Sequence, residues 1–358
     1  LEHFWWGSVF LVNLPVVVLA LAAGAALVPE SRDPQATPLD LLGAVLSIAG
    51  LVVLVYGLIE APAYGWTDPV VLGSFGSAAV LLTVFVWWEL RSPHPMLRMS
   101  FFRNPRFSAA SVSIMLVFFA MFGLIFLITQ YLQFVLAFTP LQAGIRVMPV
   151  ATMIVAAPLS ARLTERFGTK VVVASGLLVV AVGMSILASV DVTSGYGLTA
   201  TALAVLGFGM GTTMAPATDS IMGSLPLAKT GVGSAMNDTT RMVGGALGVA
   251  VLGSVQASAY AATMEPVVRA LPADAAAAAG DSIGGALAVA ARLGPVGQRL
   301  ADGASAAFVD SMGTAVWVAV GVALVGALVS LAFLPARPVT AGEPERAEEV
   351  PGGAPVAP

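Results

Sequence analysis

Long apolar runs alternate with short polar stretches along almost the whole chain. Nine of these runs reach the length of about 20 residues that carries a helix across a bilayer core of roughly 30 Å. They occupy residues 5–28, 39–59, 69–88, 107–134, 142–163, 171–190, 197–222, 233–257 and 313–334. They are apolar on all sides and do not alternate with period two, which predicts helices and not barrel strands. The connections hold the breakers and charges, as in PESRDPQATP after the first run, APAYGWTD after the second and DVTSGY after the sixth. One connection is long, 258–312, and is punctuated by Pro266, Pro272 and Pro295. Its stretch ADAAAAAGDSIGGALAVAARL reads as a helical hairpin or surface helix outside the membrane, with a re-entrant segment as the alternative.

Composition narrows the class. Of 358 residues, 58% are hydrophobic and 10% charged, where soluble domains carry roughly 25% charged residues. This predicts an all-α integral membrane protein. The absence of Cys excludes disulfides, thiol chemistry and Cys-ligated metals. His3 and His94 lie too far apart to suggest a His-based metal site. A net charge of −4 argues against nucleic acid as a partner.

Cations orient the set. Arg32, the group Arg91, Arg98, Arg103 and Arg106, the group Arg162, Arg166 and Lys170, and Lys229 fall in odd-numbered connections or at the helix ends beside them. The alternate short connections carry Asp68 and Asp191, with Arg146 the one cation near that face. Excess Lys and Arg marks the cytoplasmic side, so the tail 335–358 is expected to be cytoplasmic and, by its Pro, Gly and Glu content, disordered. An odd number of crossings puts the N-terminus outside, and the chain opens on Leu1-Glu2-His3 without Met. Truncation upstream is expected to explain both. The rival reading, a signal peptide, meets an acidic stretch where a basic one is normal.

Ionisable groups inside a bilayer are expensive and are functional candidates by default. Asp219 lies in the seventh run; Asp238 and Arg241 lie in the eighth, three residues apart and on one helix face. They form either a structural acid–base group, with Arg241 shared by both carboxylates, or a proton carrier tuned by Arg241. Glu60, Glu89 and Asp40 sit at run ends and read as interfacial. The fourth run ends Gln130-Tyr131-Leu132-Gln133, and i,i+3 spacing puts the two amides on one face. Phe118, Phe119, Met121, Phe122 and Phe126 precede them, offering either an adaptable pocket for flat cations or ordinary packing. The cavity candidates are Gln130, Gln133, Tyr131, Phe126 and Met121.

Gly43, Gly50 and Gly57, the pair Gly207 and Gly211, and the pair Gly244 and Gly248 make small-residue faces, either static seams or sliding ones. Pro15, Pro149, Pro158 and Pro216 interrupt runs and can bend them. The connection Ala161-Arg162-Leu163-Thr164-Glu165-Arg166-Phe167-Gly168-Thr169-Lys170 combines a helix end, an acid, cations and a Gly turn. Glu165 and Arg166 suit charge-assisted contacts with neighbouring helix ends, either as a gate or as a plain positive-inside turn.

This last segment resembles the cytoplasmic-loop motif of the major facilitator superfamily, Gly-x-Leu-x-Asp-Arg-x-Gly-Arg-Lys, with Ala161, Glu165 and Thr169 in place of the first Gly, the Asp and the first cation. FWWGSVFLVNLP, LDLLGAVLSIAGLVVLVYGLIEA, FFRNPRFS, QYLQFVLAFTPLQAG and GVGSAMNDTTRMVGGALGVAVLGSV resemble the superfamily's 14-helix drug:proton antiporters, and the first and last of them the branch exporting quaternary ammonium compounds. The resemblance implies that 1–28 is the last helix of an N-terminal bundle and 29–106 two inserted helices with a cytoplasmic linker. It further implies that 107–334 is a six-helix C-terminal bundle with an extracytoplasmic hairpin at 258–312. Five helices are then expected upstream, and this chain alone is expected not to transport.

What the resemblance implies for function is proton-coupled export of lipophilic or cationic drugs across the bacterial cytoplasmic membrane by alternating access. The implied partners are the lipid bilayer, small cationic substrates, protons and the missing bundle, with the proton gradient as energy source and no cofactor. Asp238 matches an acidic position early in the family's helix thirteen and is the first candidate for protonation, with Asp219 second. Ala161, Glu165, Arg166, Gly168 and Lys170 would form the gate. An exporter of one metabolite, antibiotic or lipid on the same fold is the alternative. A sensor or membrane enzyme is the remote one, since the runs hold no nucleophile–base or metal constellation.

Overall fold

The computed structural model describes residues 7, 11, 13–27, 40–95, 99–225 and 230–334, and the regular structure in them is helical. Expectations about His3, Arg32, Arg98, Lys229 and the tail 335–358 lie outside the described residues. Two compact units are present. The first, Leu1–Leu41, contains α1 (Asn13–Leu27), a short apolar helix. The second, Leu42–Pro358, contains all the rest. Among the described residues eight helical stretches are long and apolar enough to cross a membrane; with α1 they account for the nine runs.

α2 (Leu41–Tyr64) and α3 (Pro69–Arg91) form a hairpin. Its turn uses Gly65 at φ 95°, and Asp68 accepts from the Val70 N–H at 2.8 Å to cap α3, with Pro69 in the first turn. Gly43, Gly50 and Gly57 are all buried in α2. A Cβ at Gly50 would sit 2.7 Å from the Leu82 side chain and one at Gly57 3.0 Å from Ser74, so at Gly50 and Gly57 the repeat is a packing seam against α3.

α4 (Pro105–Gln130) starts the same way, with Asn104 accepting from the Arg106 N–H at 3.0 Å and Pro105 following. The fifth run is broken where Pro149 removes a donor: α5 (Pro140–Arg146), a 3₁₀ turn (Met148–Ala151), then α6 (Thr152–Phe167). α7 (Thr169–Ala188) and α8 (Tyr196–Met222) flank the Asp191 turn. There the Thr193 hydroxyl and N–H donate to Asp191 at 2.6 and 2.7 Å and hold its carboxyl below the usual aspartate range.

The last third departs from the apolar-run boundaries. α9 (Thr230–Val268) runs eleven residues beyond the expected end at 257, and α12 (Gln298–Phe333) begins fifteen residues before 313. The reason is burial: Tyr260, Met264, Leu300, Ala304 and Phe308 continue the inner face after the outer face has become too polar to count as a membrane run. The connection outside these helices shrinks to 269–297, where α10 (Ala273–Asp281) and α11 (Ile283–Leu293) pack on each other.

α8 is central, packing against α7, α6 and α4; α12 packs against α7, α9 and α4; α9 lies along α4. Close approach depends on glycine. Gly244 lies against the Met115 carbonyl and Gly248 against that of Phe119, while Gly176 and Gly209 face each other across α7 and α8. Ser113 and Ser330 share a buried hydrogen bond of 2.8 Å between α4 and α12, and the Gln256 amide donates to Ser311 at 3.2 Å between α9 and α12. Glu89, expected at an interface, is buried at 3% exposure.

Candidate functional site

Two groups of candidates come together on α4 and α9, joined by an aromatic stripe. At one end, Arg241 of α9 lies over the Phe118 ring at 5.3 Å and its Nη2 reaches the Thr218 hydroxyl of α8 at 3.5 Å. Its Nη1 stands 3.9 Å from Asp238, longer than the roughly 2.7–2.9 Å of a strong charge-assisted hydrogen bond. Arg241 Nε is buried without a hydrogen-bond partner. The guanidinium is therefore fixed by the ring more than by the carboxylate. The Asp238 side chain is 65% exposed and that of Arg241 28%. Asp219 is exposed one residue from Thr218, and no Arg241–Asp219 ion pair exists among the described residues. The shared acid–base triad is thus reduced to one loose pair.

The stripe follows from spacing. Phe118, Phe122 and Phe126 recur every four residues, and rings 118 and 122 stack at 6.1 Å. Gly245 and Gly253 on α9 face Phe122 and Phe126, and a Cβ there would lie 3.1 Å from each ring. Phe122 and Phe126 remain 40% exposed, so the rings lie in an open groove and not in the core. Phe119 is buried in the glycine seam, and Met121 is half-buried against the core.

At the far end the stripe meets a cleft of about 430 Å³, whose wall includes Phe126 and Gln130. Gln133 and Tyr131 do not join them. The segment Tyr131–Val135 is a π turn, with the Leu136 N–H donating to the Tyr131 carbonyl five residues back at 3.1 Å. A π turn is wider than an α turn, so the i,i+3 register that would align the two amides is lost. Tyr131 is fully buried, a correction to its expected place on a cavity wall; its hydroxyl lies beside that of Thr199. Ser254, Gln256 and Asp281 also line the cleft and were not singled out from the sequence. The polar residue inside the eighth apolar run, Gln256, was the available signal.

The loop from Ala161 to Lys170 closes α6 on α7. Gly168 adopts φ 82°, ψ 158° and its N–H donates to the Thr164 carbonyl at 2.9 Å. Glu165 and Arg166 are exposed, Lys170 half-buried, and among the described residues none of the three makes an ion pair; Arg166 lies over Phe167 at 5.3 Å. The expected charge-assisted contacts are not formed in this state. Only glycine adopts the Gly168 conformation without strain, so Gly168→Ala is expected to lose about 1–3 kcal/mol of stability. A thermal-shift measurement in detergent checks this, and an unchanged midpoint would contradict it.

The chain belongs to the major facilitator superfamily, whose family model matches residues 1–249. The match agrees with the all-helical, multi-pass membrane architecture of the described residues. It is 35% identical over 273 residues to the multidrug resistance protein Stp of Mycobacterium tuberculosis, covering 76% of this chain and 51% of that protein. It is 34% identical over 259 residues to the tetracenomycin C resistance and export protein of Streptomyces glaucescens, covering 72% and 48%. To the multidrug efflux pump LfrA of Mycolicibacterium smegmatis it is 34% identical over 294 residues, covering 81% and 57%. The chain spans about half the length of these curated relatives.

Proposed function

We propose that this chain is the C-terminal part of a proton-driven exporter of lipophilic and cationic drugs in a bacterial cytoplasmic membrane. The observation that carries the reading is the loose Asp238–Arg241 pair at the head of an exposed phenylalanine stripe. At 3.9 Å the pair is weak, which leaves the carboxylate open to a substrate cation. The stripe gives a flat cation successive aromatic faces, each attractive through cation–π contact. Alternating access would come from rocking of this bundle against an N-terminal one, with Ala161 to Lys170 closing the cytoplasmic side. The tail then lies in the cytoplasm, on the side of Arg103, Arg162 and Arg166. Similarity to Stp, LfrA and the tetracenomycin C resistance and export protein supports drug export.

A second reading, export of a single compound on the same fold, is favoured by one relative, a resistance and export protein for tetracenomycin C. One measurement separates the two. Cells expressing the protein from its native reading frame are loaded with ethidium and a panel of unrelated cations, with and without a protonophore. Lower accumulation of many cations, abolished by the protonophore, is expected. Exclusion of one compound only selects the second reading, and no protonophore-sensitive exclusion rejects both.

A further inference from the structure

The cleft at the far end of the stripe has built walls. The Tyr260 hydroxyl, on a side chain 1% exposed, donates to the Ala279 carbonyl at 3.2 Å and pins the end of α10 to α9. Ser282 caps α11 by accepting from the Gly285 N–H at 3.2 Å. Trp66 Nε1 donates to the Ser258 hydroxyl at 3.4 Å, tying the α2–α3 turn to α9 one turn away. These contacts hold Asp281, at the junction of α10 and α11, on the rim of the cleft. Asp281 is the only charged residue in the described lining. The exposed Phe126 ring also lines the cleft. The lining also includes Gln130 and Ser254, which is 4% exposed and whose hydroxyl has no hydrogen-bond partner.

We infer that this cleft is a binding site for a monovalent organic cation with an apolar body, held by Asp281 at its charge, Phe126 at its body, and Gln130 and Ser254 at a polar edge. The lining supplies one anion, an aromatic face and no cation, a set that attracts positive charge and repels an anionic headgroup. Its volume of about 430 Å³ falls in the range of roughly 300–1,000 Å³ typical of drug-sized sites. The ligand class is that of the export reading, and the site adds a second station at the opposite end of the stripe from Asp238. It requires no proton gradient.

The test is equilibrium binding of tetraphenylphosphonium to the purified protein in lipid nanodiscs, without a gradient. Asp281→Asn is expected to weaken binding about tenfold, the order set by one partly screened charge contact. Ala257→Phe, which fills the cleft from α9, is expected to abolish binding there. Asp274→Asn, the same change elsewhere in the hairpin, is expected to leave affinity unchanged. Equal affinity in Asp281→Asn and the parent protein overturns the inference. So does binding of neutral triphenylphosphine oxide as tight as that of the cation, which would mark a groove for lipid chains. Asp281-dependent binding without proton-driven efflux retires the export reading alone, and efflux without such binding retires only this site.

Discussion

Asp238→Asn is expected to abolish proton-driven cation efflux while leaving the fold intact. The substitution removes the titrating group but keeps its size, and the side chain is 65% exposed, so nothing in the core depends on its charge. Its one ionic contact among the described residues is the 3.9 Å approach of Arg241, which also contacts Phe118 and Thr218. The stability change is therefore small, of the order of the 0–1 kcal/mol of an exposed pair. The functional change is large, because an amide neither takes up nor releases a proton at physiological pH. In the protein made from its native reading frame, efflux from proteoliposomes with an imposed pH gradient should fall at least tenfold, with an unchanged elution profile as the check on folding; in energy, tenfold is about 1.4 kcal/mol. Unchanged efflux between pH 6 and 8 would reject Asp238 as the carrier. Asp219→Asn is expected to have the smaller effect, since no ion pair links Asp219 to Arg241.

Gly248→Leu is expected to prevent the bundle from closing. A Cβ at Gly248 would fall 2.8 Å from the Phe119 carbonyl carbon and from its Cα, and would crowd the carbonyl oxygen still more. These are backbone atoms in the middle of a 26-residue helix and cannot swing aside. Gly123, one turn along α4 from Phe119, also lies against the Gly248 carbonyl, so the two helices would have to part along the seam. Overpacking typically costs about 1–3 kcal/mol and more where the neighbour is rigid. Loss of folded protein on size-exclusion chromatography is the expected readout. Gly321→Ala is the matched control. No neighbour lies within 4 Å of a Cβ there, and the gain in helix propensity, about 1 kcal/mol, should leave the midpoint equal or higher. A folded, unshifted Gly248→Leu protein would show that the seam does not set the α4–α9 distance.

Eight of the nine expected membrane crossings and the position of most turns were legible in the residues. Asp68-Pro69 and Asn104-Pro105 announce helix starts because an acceptor side chain and a donor-less residue suit the first turn, and both caps form. Gly168 and Gly65 mark turns with positive φ. The ends of α9 and α12 were not legible, because Tyr260, Met264 and Phe308 are buried by partners distant in sequence. Pairing of Gln130 with Gln133 was misleading for a local reason, a π turn in place of an α turn, which residue spacing does not reveal. Tyr131 looked like a wall residue because it stands between two amides; in the fold its direction is inward.

Sequence alone determined the class, because a chain with 10% charge and nine apolar runs has no other solvent than lipid for its surface. It also determined that Asp219, Asp238 and Arg241 carry most of the charge worth explaining inside the helices. Tertiary structure decided which of these meet. Arg241 is assigned to Phe118, Thr218 and a loose Asp238 because glycine seams set the distance between α4 and α9. Asp281 reaches the same groove, forty residues on, because Tyr260 folds the α10–α11 hairpin back onto α9. Contacts of that kind depend on packing across helices, and no periodicity within one helix contains them.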